Sequence, residues 1–213
     1  MDMYEIVRQH RILAILRNIP LDITLDYCRS AIEGGIRFFE VALNSQDAYQ
    51  QINLIREALG DQCLVGAGTA ITAEKAKKSV KAGAQFLLTP GTPRDVLEFC
   101  VQKDIYLLPG VLTPSEVASA MEYGFKTFKL FPAGSMPINY IKNLKGPYDN
   151  TNYMAIGGVS ENNIADFFRA GYFAAGLASG LMPMDKVKIG DWQGCTEHVK
   201  QICDKAKAVI YMN

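Results

Sequence analysis

The chain has 213 residues, enough for one sizeable core and within the range of a single α/β barrel. Lysine plus arginine and aspartate plus glutamate both number 22, a balance that argues against nucleic acid or an anionic membrane surface as the main partner. Hydrophobic residues are 49% and charged residues 21%, with no apolar run near the roughly 20 residues that span a bilayer, so the composition reads as a soluble globular protein.

In chain order, residues 1–10 read as a short helix closing the bottom of a barrel, without a signal peptide's long apolar stretch. Four segments then share one shape: AIEGGIRFFEVAL (31–43), SVKAGAQFLLTPG (79–91), AMEYGFKTFKLFPA (120–133) and FFRAGYFAAGLASG (167–180). Each passes from a helix end through a glycine (Gly35, Gly83, Gly124, Gly171) into a short apolar run, and glycine suits the left-handed residue just past a helix. Between them lie ILAILR (12–17), CLVGAG (63–68), IYLLPG (105–110) and YMAIGG (153–158). Apolar runs alternating with helix-length segments predict parallel strands joined by crossover helices. Thr113-Pro114-Ser115-Glu116 has the form of a capping box, and Thr72 and Ser160 occupy similar N-cap positions. Residues 185–213 read as the last helical region. Eight strands in one chain, with no linker and no GxGxxG after the first strand, predict a single (β/α)₈ TIM barrel domain over residues 1–213 rather than an open doubly wound sheet.

In such a barrel the chemistry lies at the C-terminal strand ends. Those ends carry Arg17, Glu40 with Asn44, Gly66-Ala67-Gly68-Thr69, Thr89-Pro90-Gly91, Pro109-Gly110, Lys129, Gly157-Gly158 and Ser179. Side chains alternate along a strand, so Phe128 and Leu130 facing the helices turn Lys129 inward, and Phe39 and Val41 do the same for Glu40. An inward Lys–Glu pair reads either as a structural ion pair or as catalytic machinery, in which burial leaves a neutral amine able to attack a carbonyl beside a general acid/base. Phe131 is a candidate wall of the lysine pocket, the other paired aromatics being core. The glycine turns after strands seven and eight read as ordinary tight turns singly and as a phosphate site together. Gly66-Ala67-Gly68-Thr69 lacks the Lys-Ser/Thr of a P-loop and is read as bringing backbone and the Thr69 hydroxyl close to a ligand. Five cysteines without a CxxC, and two histidines (His10, His198) far from every motif, point to reduced cytoplasmic packing residues and no metal site.

AILR (14–17), FEVALNS (39–45), VGAGT (65–69), TPG (89–91), PGVLTPSE (109–116), FKLFPA (128–133), AIGGVSENN (155–163) and GLASGL (176–181) occur in this order. With them the chain resembles the KDPG/KHG aldolase family, whose members cleave 2-keto-3-deoxy-6-phosphogluconate, its galactonate epimer or 4-hydroxy-2-oxoglutarate. The resemblance covers residues 10–205. It implies a class I aldolase needing no metal or cofactor, usually a homotrimer, with Lys129 as Schiff-base lysine and Glu40 as general acid/base. It further implies Arg17 and Thr69 at the pyruvyl carboxylate, Pro90 and Gly110 shaping that pocket, and Gly157, Gly158 and Ser179 at the phosphate. Asn44 stands where the phosphogluconate branch carries arginine, Ile156 where it carries threonine, and Ala178 where glycine is common. Asn44-Ser45 and the stretch Pro137 to Pro147 sit closer to the phosphogalactonate branch. A sugar-phosphate isomerase or epimerase using Glu40 as base, and a phosphosugar-binding barrel without catalysis, are the competing readings.

Overall fold

The structure, a computed structural model, describes residues 1–210. Nine strands form one parallel sheet: β1 (Ile12–Leu16), β2 (Phe38–Ala42), β3 (Leu64–Gly68), β4 (Phe86–Leu88), β5 (Tyr106–Leu108), β6 (Gly110–Val111), β7 (Thr127–Leu130), β8 (Asn152–Ile156) and β9 (Ala174–Leu177). Their order is β5-β4-β3-β2-β1-β9-β8-β7-β6. The ninth strand arises because IYLLPG is divided at Pro109, which has no N–H to donate to a ladder. β5 and β6 are therefore two halves of the predicted fifth strand, and they bring the ends of the sheet together into a nearly closed TIM barrel.

Helix α1 (Tyr4–His10) closes the bottom of the barrel, and helices α2 (Thr24–Glu33), α3 (Ala48–Leu59), α4 (Ala73–Lys81), α5 (Arg94–Gln102), α6 (Pro114–Glu122), α7 (Tyr140–Lys145), α8 (Ile164–Arg169), α9 (Met184–Ile189) and α10 (Trp192–Ile210) follow. None of the described helices is long and apolar enough to cross a membrane. The four repeated glycines all have positive φ, 107°, 100°, 86° and 100°. Each closes its helix with the same pair of bonds, as at Gly35, whose N–H donates to Ile32 O while Ile36 N–H donates to Ala31 O. This is the Schellman arrangement. The capping box at Thr113 and Glu116 is present, and Thr72 caps α4 by accepting from Lys75 N–H. Ser160 does not cap α8, which begins at Ile164 after Asn163. Instead Asn163 Oδ1 accepts from Ser160 N–H at 2.8 Å, because the SENN segment first makes a turn. The last helical region is split into α9 and α10 at Gly190, with φ 72°, and residues 211–213 of that prediction lie outside the described residues.

Strand alternation divides the core in two. Phe39, Val41, Val65, Ala67, Phe128 and Leu130 pack outward against the helices. Leu13, Phe38, Phe86, Leu108 and Met154 pack inward, where Met3 and Val7 of the N-terminal segment join them and fill the lower barrel. The Asp2 carboxylate fastens this plug, accepting from Lys126 N–H, Thr127 N–H and Thr127 Oγ1 at the start of β7.

Candidate active site

Lys129 and Glu40 occupy inward positions of β7 and β2, as their outward neighbours predict. Both are almost fully buried, at 3% and 1% exposure. A residue this polar is placed there by the flanking apolar positions, whose burial against the helices leaves it no other direction. No ammonium–carboxylate contact within 4.0 Å joins the two among the described residues. The Lys129 Nζ lies 4.9 Å from the centre of the Phe131 ring, so Phe131 is a wall of the lysine pocket. The Glu40 Oε2 atom is buried without a hydrogen-bond partner.

Burial governs the protonation of both groups. It pulls the Lys129 ammonium below the usual lysine range, against the Glu40 charge and with the Arg17 charge adding to it. It lifts Glu40 above the usual carboxylate range, against the charges of Lys129 and Arg17. The pair is thereby biased toward a neutral amine and a protonated acid. A buried acid with an unpartnered oxygen, beside an amine whose burial favours its neutral form, is a poor structural ion pair and a suitable nucleophile with its proton donor.

The glycines of β3 explain how Glu40 fits. A Cβ on Gly68 would stand 1.6 Å from Glu40 Oε1, and one on Gly66 would stand 2.4 Å from the Phe86 ring. Their lack of a side chain admits these two protein side chains, a role the sequence reading did not foresee. Thr69, half-buried, follows with φ 61°, a strained value for a β-branched residue.

The other candidates ring this pair. Arg17 is exposed, one residue beyond β1, and its charge is felt by both Glu40 and Lys129. Asn44 is exposed just past β2, where neighbouring Ser45 Oγ accepts from Asn18 N–H and ties the Arg17 loop to it. Gly110 pairs with Lys129 in register, and a Cβ on it would stand 2.4 Å from Pro90, so Pro90, Gly110 and Lys129 are adjacent. Gly157 and Gly158 both have positive φ, 88° and 79°. A Cβ on Gly157 would reach the Phe131 ring at 3.1 Å. Ser179 is exposed on the neighbouring loop, whose Gly180 abuts Ser160. Ala178 packs against the inner core, its methyl turned to that cluster.

Sequence reasoning missed Gly134 and Ser135. Gly134 N–H donates to Gly157 O at 2.7 Å, and a Cβ on Gly134 would stand 2.8 Å from Gly158 Cα. This short 3-10 turn (Ala133–Ser135) therefore walls the glycine pair, and the small residues after FPA were the available signal. No group of three or more His, Cys, Asp or Glu that could hold a metal ion occurs among the described residues, and all five cysteines are buried free thiols.

The family model described as KDPG and KHG aldolase matches residues 3–198. This chain belongs to the KDPG/KHG aldolase family. It is 36% identical over 172 residues to the 2-dehydro-3-deoxy-6-phosphogalactonate aldolase of Escherichia coli (strain K12), covering 80% of this chain and 83% of that protein. It is 29% identical over 188 residues to the KHG/KDPG aldolase of the same organism, covering 88% of each. Among solved structures, a KDPG aldolase from Legionella pneumophila, with pyruvate captured at low pH as a covalent carbinolamine intermediate, superposes with a TM-score of 0.88 at 26% identity, covering 95% of this chain and 98% of that one. Membership of this aldolase family makes the chain an aldehyde-lyase by class, and the fold expectation of a TIM barrel agrees with these neighbours.

Proposed function

We propose that the protein is a class I aldolase that cleaves a 2-keto-3-deoxy-6-phosphosugar acid to pyruvate and glyceraldehyde 3-phosphate, with the galactonate epimer as the preferred substrate. Cleavage of 4-hydroxy-2-oxoglutarate to pyruvate and glyoxylate is the secondary activity of the same site. The observation that carries this reading is the buried Lys129 amine, 4.9 Å from the Phe131 ring, on the same inner barrel face as a buried Glu40 whose Oε2 has no hydrogen-bond partner.

The neutral amine attacks the C2 carbonyl and forms a carbinolamine. Glu40 gives its proton to the departing hydroxyl, which leaves as water, and the iminium that forms stabilises the new carboxylate. That carboxylate takes the C4 hydroxyl proton, the C3–C4 bond breaks, and its electron pair moves into the iminium to give an enamine. Glu40 returns the proton to C3. Water then adds to the pyruvyl iminium, restoring the amine and the protonated acid as pyruvate leaves.

Arg17, Thr69 and Asn44 supply the carboxylate end of the site, with Pro90, Gly110 and Phe131 as its walls. The backbone of Gly157 and Gly158 with Ser179 takes the phosphate, since paired positive-φ glycines expose their N–H groups. The reading needs no metal or cofactor, in line with the covalent pyruvate intermediate of the Legionella relative. Substrate preference rests on the greater identity to the phosphogalactonate enzyme and on Asn44 in place of a second arginine. The reading includes a cytoplasmic homotrimer of single-domain subunits, which sedimentation of the purified protein checks. A pyruvate-release assay comparing the two C4-epimeric phosphosugar acids and 4-hydroxy-2-oxoglutarate tests the substrate. The galactonate epimer should give the highest kcat/KM, and equal or faster cleavage of the gluconate epimer would overturn the preference.

A further inference from the structure

The barrel wall is weakest beside the lysine. Pro109 interrupts the fifth strand, and the chain resumes at Gly110, whose register partner is Lys129. On the β7 side the wall is closed by main chain, Lys129 N–H donating to Pro109 O at 2.9 Å. On the β4 side a side chain takes part. The Thr89 hydroxyl accepts from Gly110 N–H at 3.2 Å and donates to Gly91 O at 2.6 Å. Thr89 is completely buried, and its own N–H reaches Leu108 O only at 3.4 Å. Below the break, Phe86 to Leu88 pair in register with Tyr106 to Leu108. Above it, the hydroxyl carries the connection between the Thr89-Pro90-Gly91 turn and the segment paired with Lys129.

We propose that Thr89 is a positioning residue for imine formation: its hydroxyl bridges the break at Pro109 and fixes the Gly110–Lys129 pair against the Pro90 turn. The amine must meet a carbonyl in the pocket that Pro90 and Gly110 shape, the two residues whose packing against each other this hydroxyl sets. An error of about 1 Å in such a placement costs on the order of a hundredfold in rate. The small size of Gly110 serves the same seam, because a Cβ there would collide with Thr89 O at 2.5 Å as well as with Pro90. A valine at position 89 keeps the shape of threonine but has neither donor nor acceptor.

This inference rests on the aldolase reading, and its test separates the two. The rate of borohydride-trapped adduct formation at Lys129 is measured with saturating pyruvate in the wild-type protein, Thr89→Val and Thr89→Ser, at a temperature where circular dichroism shows all three folded. Thr89→Val should trap about a hundredfold more slowly. Thr89→Ser should recover most of the rate, since it keeps the hydroxyl. A purely structural role would lower the unfolding temperature of Thr89→Val and leave its trapping rate at the wild-type value, which would overturn the proposal. Trapping by Thr89→Ser as slow as by Thr89→Val would also overturn it. Should Thr89→Val not fold, Thr89→Cys, with only a weak donor and acceptor, carries the same comparison. Absence of any wild-type adduct would fault the imine reading instead. The Thr89 claim is then read from the rate at which acetic anhydride labels Lys129 in the same proteins, slower labelling of the valine variant supporting it and equal labelling overturning it.

Discussion

The two ends of this barrel treat polar groups in opposite ways. At the N-terminal end the Asp2 carboxylate accepts from four donors, the N–H groups of Tyr4, Lys126 and Thr127 and the Thr127 hydroxyl, and the Met1 ammonium donates to Ile105 O at 2.7 Å. At the C-terminal end Glu40 keeps a buried oxygen without a partner, Lys129 has no ion-pair partner among the described residues, and Thr69 holds a strained backbone angle. At the first end the carboxylate is fully engaged; at the second a buried acid and a buried amine are left without an ion-pair partner among the described residues. The buried polar groups of the plug thus serve stability, while those at the other end are costly to keep, as expected where a site gives up local satisfaction for chemistry.

The largest effects should appear when the strained end is relieved. Glu40→Gln should lower the cleavage rate by about 10²- to 10⁴-fold, the range typical of a lost general acid/base, while folding is retained. A steady-state assay with the preferred phosphosugar acid reads this directly, and a rate within a few-fold of wild type would remove Glu40 from the mechanism. Gly68→Ala should lower activity by about a hundredfold, because its methyl would occupy the place of Glu40 Oε1 and displace the acid.

The double change Lys129→Met with Glu40→Leu should abolish activity and yet stabilise the protein by about 1–4 kcal/mol at neutral pH, as found when buried charged pairs are replaced by hydrophobic residues of similar volume. The sign follows from the two shifts. Glu40, raised from 4.5, contributes stability that is present at low pH and lost as pH rises through its folded value. Lys129, lowered from 10.5, penalises the folded state below its folded value and releases that penalty as pH rises toward 10.5. At neutral pH, above 4.5 and below 10.5, both shifts count against folding, so removing both groups should raise the midpoint of urea unfolding. A lowered midpoint would show the pair to be structural.

The smallest effect on catalysis, and a clear one on stability, is expected at the relaxed end. Asp2→Ala should cost about 1–3 kcal/mol by leaving the N–H and hydroxyl of buried Thr127 unpaired, with kcat and KM unchanged while the protein is folded. A change in kcat would show that the plug and the active end are coupled after all.

Much of this contrast was legible in the chain. The apolar alternation of FFEVAL and FKLF was enough to turn Glu40 and Lys129 inward, because side-chain direction along a strand is a local property. The repeated glycines marked the helix ends for a similarly local reason, the left-handed residue of the Schellman turn. What escaped were features made by segments distant in sequence. The purpose of Gly66 and Gly68 depends on Phe86 and Glu40 lying across them, and the pairing of Gly110 with Lys129 depends on where the Pro109 carbonyl meets β7. Gly134 faces Gly158 only once the loops after β7 and β8 are side by side. Asn163 rather than Ser160 organised the SENN segment, a choice between two good capping residues that spacing alone leaves open.

The central claim is that burial holds Lys129 ready as a neutral nucleophile. Incubation with pyruvate and borohydride across a pH series, followed by peptide mass mapping, tests it most directly. The account predicts one irreversible adduct, a reduced pyruvyl imine on Lys129, whose rate of formation rises with pH and levels off below the usual lysine value. An adduct on another lysine, no adduct at all, or a rate still rising through the ordinary lysine value of 10.5 would contradict it.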